Sequence, residues 1–318
     1  MAANSFKGHI SLFSANAMWG LMSPVAKLVL VGGTISPLVM TDLRIFGAML
    51  LFWGISFFTK REHVPHKDLA KLFWASLFAI IFNQGLFIFG VELTSPGNAS
   101  IITTSMPLWA MVLAALFFGD PITGKKVIGI ALGAGGAMLL ILSSEVGASS
   151  GNAHGNIWGD LLVLFAEFCF AIYIVFFKGL VSKYSLITVM KWLFTFSFIC
   201  MVPFSYTSLS ATQWQNLTMS DIESIIFIVV GGTFFSYLLL VIGQKAVGPT
   251  TAGMYNYVQP VIACFVAVTW GLDSFSIIKA FAILMIFCGV FMVSTSRTKE
   301  QIAAYKAKLA AQQSKENK

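Results

Sequence analysis

Apolar residues in this chain come in long runs, without the alternation of a half-buried strand or the narrow stripe of a surface helix. Stretches such as 69–91 and 221–244 are hydrophobic on nearly all sides, and such stretches recur roughly every 30 residues, the period of one helix plus a short connection. A helix apolar all round needs an apolar medium. A bilayer core about 30 Å thick takes about 20 residues of helix, whose backbone groups satisfy one another where lipid offers no partners. The segments 10–31, 37–58, 69–91, 96–118, 124–143, 157–181, 185–206, 221–244, 249–271 and 275–295 meet that requirement. The pattern predicts an all-α integral membrane protein of about ten transmembrane helices.

The residues that interrupt the runs add detail. Pro37, Pro96 and Pro249 fall at helix starts, where a missing N–H costs nothing, whereas Pro24, Pro107, Pro203 and Pro260 fall inside or near the ends and predict kinks. Basic residues separate by loop. Lys7, then Lys60, Arg61, Lys67 and Lys71, then Lys125 and Lys126, then Lys183, then Lys245 and the tail after Arg297 alternate with loops around Gly32, Thr94, Gly151, Ser210 and Asp273 that are almost free of Lys and Arg. Cytoplasmic loops carry the positive excess, so both termini are expected in the cytoplasm.

Composition narrows the classes. The chain is 57% hydrophobic and 10% charged, against about a quarter charged in soluble domains, which excludes a water-soluble fold. The net charge of +7 is scattered through loops and tail and does not form one stripe, which argues against nucleic acid as a partner. Cys169, Cys200, Cys264 and Cys288 sit inside apolar runs with no C-x-x-C pair and read as packing residues. His9, His63, His66 and His154 fall in tails or loops, so no His/carboxylate cluster is expected to hold a metal or run acid–base chemistry. No enzyme activity and no cofactor are expected, and the absence of G-x-x-x-x-G-K-[ST] argues against an ATP-driven pump. Lys7 precedes the first apolar stretch, but Trp19, Pro24 and Lys27 within it indicate a retained helix and not a cleaved signal.

The chain also repeats itself. A shift of 153 residues carries Gly90, Pro96, Ala99 and Pro107 onto Gly243, Pro249, Ala252 and Pro260, and then Lys126 onto Lys279 and Gly136 onto Gly289. Lys27 matches Lys178 at a slightly different shift. Each half, 10–143 and 157–296, thus holds five helices, joined by an outer linker at 144–156 and followed by a basic cytoplasmic tail at 297–318. Because five is odd, the second unit enters the membrane from the opposite side, which predicts two inverted five-helix repeats of the kind that support alternating access.

These features resemble a known family. Ala17-Met18-Trp19-Gly20 with Lys27, Arg44 in the second helix, Pro107 in the fourth, Gly119-Asp120-Pro121, and Gly129 with Gly136 are similar to the EamA repeat of the drug/metabolite transporter superfamily. Asp120 stands where that pattern usually has Glu, and the second half has Gly271-Leu272-Asp273. The resemblance implies a secondary transporter of the bacterial inner (plasma) membrane, often an exporter of amino acids or related metabolites, with a small-molecule substrate held in a central cavity.

Polar groups at membrane depth are costly and point to function. The fourth helix offers Ser100, Thr103 and Thr104 ahead of Pro107, and the ninth offers Tyr255, Asn256, Tyr257 and Gln259 ahead of Pro260. Under the repeat Thr103 matches Asn256 and Thr104 matches Tyr257, so both helices are expected to turn equivalent faces to one cavity. Asn83 and Gln84, with Ser236 and Tyr237 as counterparts, supply a second cluster, joined by Asn16, Trp19 and Tyr173. Interhelical hydrogen bonding and packing are the competing roles for all of these. Glu167, isolated in apolar surroundings, suits proton coupling or a neutral structural acid. Arg44, with Lys191, Lys27 and Lys178, is near enough to a helix end to snorkel, while Arg44 is also the best clamp for a substrate carboxylate. The run Gly129, Gly133, Gly135 and Gly136 reads as close helix packing. The lipid bilayer is the medium, a homo-oligomer is a compatible assembly, and a non-transporting receptor, scaffold or assembly subunit is the alternative class.

Overall fold

A computed structural model describes residues 2–119, 123–149, 156–247, 255–274 and 276–295. Asp120, Pro121, Gly151, His154, Pro249, Ala252 and the tail from 297 to 318 lie outside the described residues.

Among the described residues the structure is helical and without strands. The main helices are α1 (Ala2–Val31), α2 (Pro37–Ser56), α3 (His66–Leu93), α4 (Pro96–Phe118), α5 (Gly124–Ser149), α6 (Ile157–Phe176), α7 (Leu186–Ala211), α8 (Met219–Ala246), α9 (Tyr255–Thr269) and α10 (Ile277–Ser294). Seven of these, α2 to α8, are long and apolar enough to cross a bilayer; α9 and α10 are apolar but shorter. The chain is a multi-pass membrane protein. Side-chain caps fix several starts: Ser36 accepts from the Val39 amide with Pro37 in the first turn, Ser95 from Asn98 with Pro96, and Thr218 forms a reciprocal box with Asp221. Expected and observed bounds differ at membrane edges. α3 begins at His66, α6 stops at Phe176 with a separate turn at Lys178–Val181, and α7 runs to Ala211.

Four helices are irregular, and the irregularities fall in matching places. In α4 the helix breaks at Thr104–Ser105, just ahead of Pro107. In α9 a 3₁₀ turn at Tyr255–Tyr257 leads into the helix that holds Pro260. A proline ring displaces the carbonyl four residues back, so each break lies where the sequence predicts a kink. Hydroxyls beside the break bond back onto the preceding turn: Thr103 donates to Ser100 O (2.7 Å) and Thr104 to Ile101 O (2.6 Å). The π-helical segments Leu77–Gly85 in α3 and Phe227–Phe235 in α8 were not expected. Their wider turn leaves carbonyls to be met by side chains five residues on, as Thr233 donates to Ile228 O (2.9 Å) and Ser236 to Gly231 O (2.6 Å).

Helix pairing follows one rule. α1 packs on α8 and α9, α6 packs on α3 and α4, and α2 lies against α7, α4 against α9 and α5 against α10. Exchanging helices 1–5 with 6–10 maps this set of contacts onto itself. Glycines make the closest approaches: a Cβ on Gly129 would stand 2.7 Å from Gly289 O, and one on Gly136 2.9 Å from Ala282 O. The expected packing role of that glycine run is what joins α5 to α10. Likewise Gly90 abuts Val163 and Gly159 of α6, and its repeat counterpart Gly243 abuts Leu12 and Gly8 of α1.

Candidate functional site

The broken and π-helical segments meet around a cavity of about 320 Å³. α4 contributes Ser100, Thr103, Thr104 and Pro107, and α9 contributes Asn256, Tyr257 and Gln259. The equivalent faces expected to converge are on one wall system. From α3 come Asn83 and Gln84, from α8 Tyr237, from α1 Trp19, from α2 Arg44 and from α6 Glu167. Trp19 meets Tyr237 edge-on with ring centroids 5.6 Å apart. Met22, Phe87, Phe170, Ile174 and Leu240 give the same cavity apolar surface.

Polar atoms within it are partly committed. Asn83 donates to Ala166 O (3.1 Å) and stands beside Glu167. Gln259 donates to Asn16 Oδ1 (2.8 Å), and Tyr257 tilts onto the Phe287 ring at 4.6 Å. Gln84 is 2% exposed, and neither amide atom has a well-formed hydrogen bond, with Tyr237 its polar neighbour. Arg44 is 4% exposed, and its Nε donates to Thr233 Oγ1 (2.8 Å). It does not reach the lipid edge, so snorkelling is replaced by burial.

Three expected members stand apart from the wall. Asn16 lies one layer back, holding Gln259 and donating to Leu12 O (2.8 Å). Tyr173 is buried beside Phe170 and Phe177. Tyr255 has its hydroxyl on His9 Nδ1 (2.8 Å), which places His9 in α1 and in contact with α9, not in a free tail. Lys191 lies over the Trp53 ring (4.9 Å to the centroid), an anchoring contact.

The sequence did not single out Thr233, Ser23 or Gln244 of this region, nor the polar seal beside it. Asp160 opens α6 and accepts from Thr94 (2.5 Å). Asp273, ahead of α10, accepts from Ser95 (2.9 Å), from the Ser274 amide (2.7 Å) and from Lys279, with which it forms an ion pair. Lys27 donates to the carbonyls of Val91 (3.0 Å), Glu92 (2.5 Å) and Thr94 (2.9 Å), and Ser23 to Pro96 O (3.1 Å). These residues share the end of the bundle that holds the α3–α4 and α9–α10 connections. An acidic residue near a helix start, as at Asp160 and Asp273, was the available signal.

At the other end, the α2–α3 and α6–α7 connections clasp each other. Lys183 and Tyr184 bond Asp68 Oδ2 (3.1 and 2.7 Å), and the Ser185 hydroxyl donates to Glu62 (2.9 Å). Hydrogen bonds from Thr188 and Ser185 hold the Glu62 carboxyl below its usual range, and the bond to Asp68 pushes the Tyr184 phenol up. The cavity lies between the two ends: its wall includes Ile174, Gln244 and Val290, near the C-terminal ends of α6, α8 and α10, and also Ser23, Phe87 and Ser100, nearer the α3–α4 connection.

No group of three or more His, Cys, Asp or Glu among the described residues is placed to hold a metal. The model of the EamA-like transporter family matches residues 6–142 and again 157–295. An uncharacterised transporter of Archaeoglobus fulgidus is 30% identical over 220 residues, 69% of this chain and 74% of that protein. A protein of Escherichia coli named a probable amino-acid metabolite efflux pump is 29% identical over 245 residues, 75% of this chain and 76% of its own. An uncharacterised transporter of Bacillus subtilis is 23% identical over 301 residues, 94% of this chain and 89% of its own. A solved crystal structure with 15% identity superposes with a TM-score of 0.58, covering 91% of this chain and 96% of that one, a likeness of fold alone.

Proposed function

This chain belongs to the EamA-like transporter family, and on that premise we propose that it is a secondary transporter, acting as an exporter of a small organic metabolite such as an amino acid or a related compound. The observation that carries the proposal is a cavity of mixed polar and apolar lining inside the bundle, with buried polar contacts closing the end that holds the α3–α4 and α9–α10 connections. A solute site that is reached from one side and sealed from the other is what alternating access requires of each of its states.

The proposed architecture is ten crossings in two inverted repeats, 10–143 and 157–296, joined by the linker at 144–156 and followed by the basic tail at 297–318. Its support is the self-mapping set of helix pairs, the matched breaks of α4 and α9, and the paired π segments of α3 and α8. The end that holds the α2–α3 and α6–α7 connections carries Lys60, Arg61, Lys67, Lys125 and Lys183, and at the sealed end Lys27 and Lys279 are consumed by carbonyls and by Asp273. The positive excess supports a cytoplasmic face for the first end, from which the cavity would be reached, and for both termini, in a bacterial inner membrane. A loaded cavity facing the cytoplasm suits export.

Glu167 takes the role of proton carrier in this reading, since it is buried on the cavity wall beside Asn83. The test is flux into proteoliposomes with a broad panel of amino acids, sugars and bases. Movement of one solute class above empty vesicles, accelerated by a pH gradient, is expected, and Glu167→Gln should lose the acceleration while keeping solute exchange. A panel with no flux would favour a receptor, scaffold or assembly subunit, and an unaltered pH response in the variant would remove Glu167 from coupling.

A further inference from the structure

Arg44 presents an electrostatic problem that the protein alone leaves unsolved. Its side chain is buried at membrane depth on the cavity wall. Among the described residues the ion pairs join Lys71 and Lys183 to Asp68 and Lys279 to Asp273, and none reaches Arg44. Its one described side-chain bond is to a neutral hydroxyl, Thr233 Oγ1, through Nε (2.8 Å). Burying a cation without a counter-ion costs far more than one hydroxyl returns. Glu167, the carboxylate on the same wall, makes no ion pair with it, and Tyr237 interacts with both.

The bond to Thr233 has a directional consequence. With Nε occupied, the remaining guanidinium donors are the pair of terminal nitrogens, the edge that grips a carboxylate with two parallel bonds. Thr233 is itself oriented by donating to Ile228 O (2.9 Å), five residues back, so the π segment of α8 fixes the hydroxyl that fixes the arginine. On the same wall Gln84 is 2% exposed with neither amide atom in a well-formed hydrogen bond and Tyr237 as its polar neighbour. A buried amide so poorly satisfied is a cost until something binds it.

We propose that Arg44 and Gln84 form the subsite for a carboxylate on the transported molecule, and that Thr233 is the positioning residue that aims Arg44 into the cavity. The proposal rests on the transporter reading only for the word transported; the subsite itself is a binding claim. A single cation with one amide matches a monoanion, and Trp19, Phe87 and Phe170 around it favour an apolar remainder. Thr233→Val would remove the hydroxyl and keep the shape, and Thr233→Ser would restore it.

The experiment measures binding of L-phenylalanine and L-leucine to the purified full chain in detergent, each against its carboxamide and its decarboxylated amine, with inorganic phosphate as a further probe. The acids should bind at least tenfold more tightly than the amides and amines. Arg44→Gln and Gln84→Leu should erase that preference, Arg44→Lys should keep part of it, and Thr233→Val should shrink it severalfold with recovery in Thr233→Ser. Elution as a single folded species separates a lost subsite from a misfolded variant. Equal binding of acids and amides, binding of neither acid, a preference for phosphate, or an unchanged preference in a folded Arg44→Gln protein would each overturn the subsite. Flux is read separately: binding without flux sinks the transport reading and leaves the subsite, whereas flux with an intact preference in Arg44→Gln does the reverse.

Discussion

At the scale of single residues, the cavity contrasts groups bound to protein with groups left over. Asn256 and Tyr257 face the cavity from the 3₁₀ turn of α9, matching Thr103 and Thr104 across the repeat. Loss of a hydrogen bond to a bound solute costs about 1 kcal/mol. Asn256→Leu and Tyr257→Phe should therefore lower flux severalfold at equal protein level in the membrane; unchanged flux in both would take them out of the solute path. Outside the cavity, Glu62 ties the α2–α3 loop to Ser185. Because its folded carboxyl titrates below its ordinary value of 4.5, the contact stabilises the loop pair above that pH and is lost as pH falls through the lowered value. Limited proteolysis at 57–65 should accelerate only in that acidic range, and Glu62→Gln should accelerate it at neutral pH. The sequence marked most cavity residues, because polar side chains stand out in apolar runs. It missed Thr233 and left Arg44 open between snorkelling and a cavity clamp, since whether an arginine snorkels or turns inward depends on a partner 189 positions away. Asn16, Tyr173 and Tyr255 were equally conspicuous in the sequence, but their nearest groups are protein.

At the scale of elements, departures from regular helix locate the cavity. The breaks in α4 and α9 were legible, since a proline excludes a known carbonyl. The π segments were not. Leu77–Gly85 reads LFAIIFNQG and Phe227–Phe235 reads FIVVGGTFF, with no composition in common that sets them apart from ordinary α-helix. Helix ends also escaped the hydropathy pattern, because an apolar run marks where lipid ends and α7 continues to Ala211 through Tyr206, Thr207 and Ser208 in water. Small residues bring α5 and α10 together, and a Cβ on Gly289 would come within 2.5 Å of Gly129 O and 2.6 Å of Gly133 N. Gly289→Val must force the two helices apart, at about 1–3 kcal/mol for overpacking. A drop of several degrees in detergent melting temperature should follow; a variant as stable as wild type would show that this crossing tolerates separation.

At the scale of the whole molecule, the proposed pair of opposed units is what would let one cavity serve two sides. A single five-helix unit would give a fixed opening, while two related by a two-fold axis in the membrane plane can exchange conformations. The clasp of Glu62 and Asp68 with Ser185 and Lys183 puts two cation-bearing loops at one end, and Lys27, Thr94, Asp160 and Asp273 gather the opposite connections. An all-helical membrane fold could be inferred from the sequence because lipid restricts a spanning chain to few solutions. The seal could not, being assembled from residues of four separate segments. Sidedness of labelling tests the central claim most directly. Single cysteines placed at Lys60, Lys125 and Lys183 in a chain with Cys169, Cys200, Cys264 and Cys288 replaced should react with an impermeant thiol reagent only from the cytoplasmic side, and cysteines at Gly33 and Ser274 only from outside. Labelling of Lys60 and Lys125 positions from opposite sides would contradict two inverted units around one cavity.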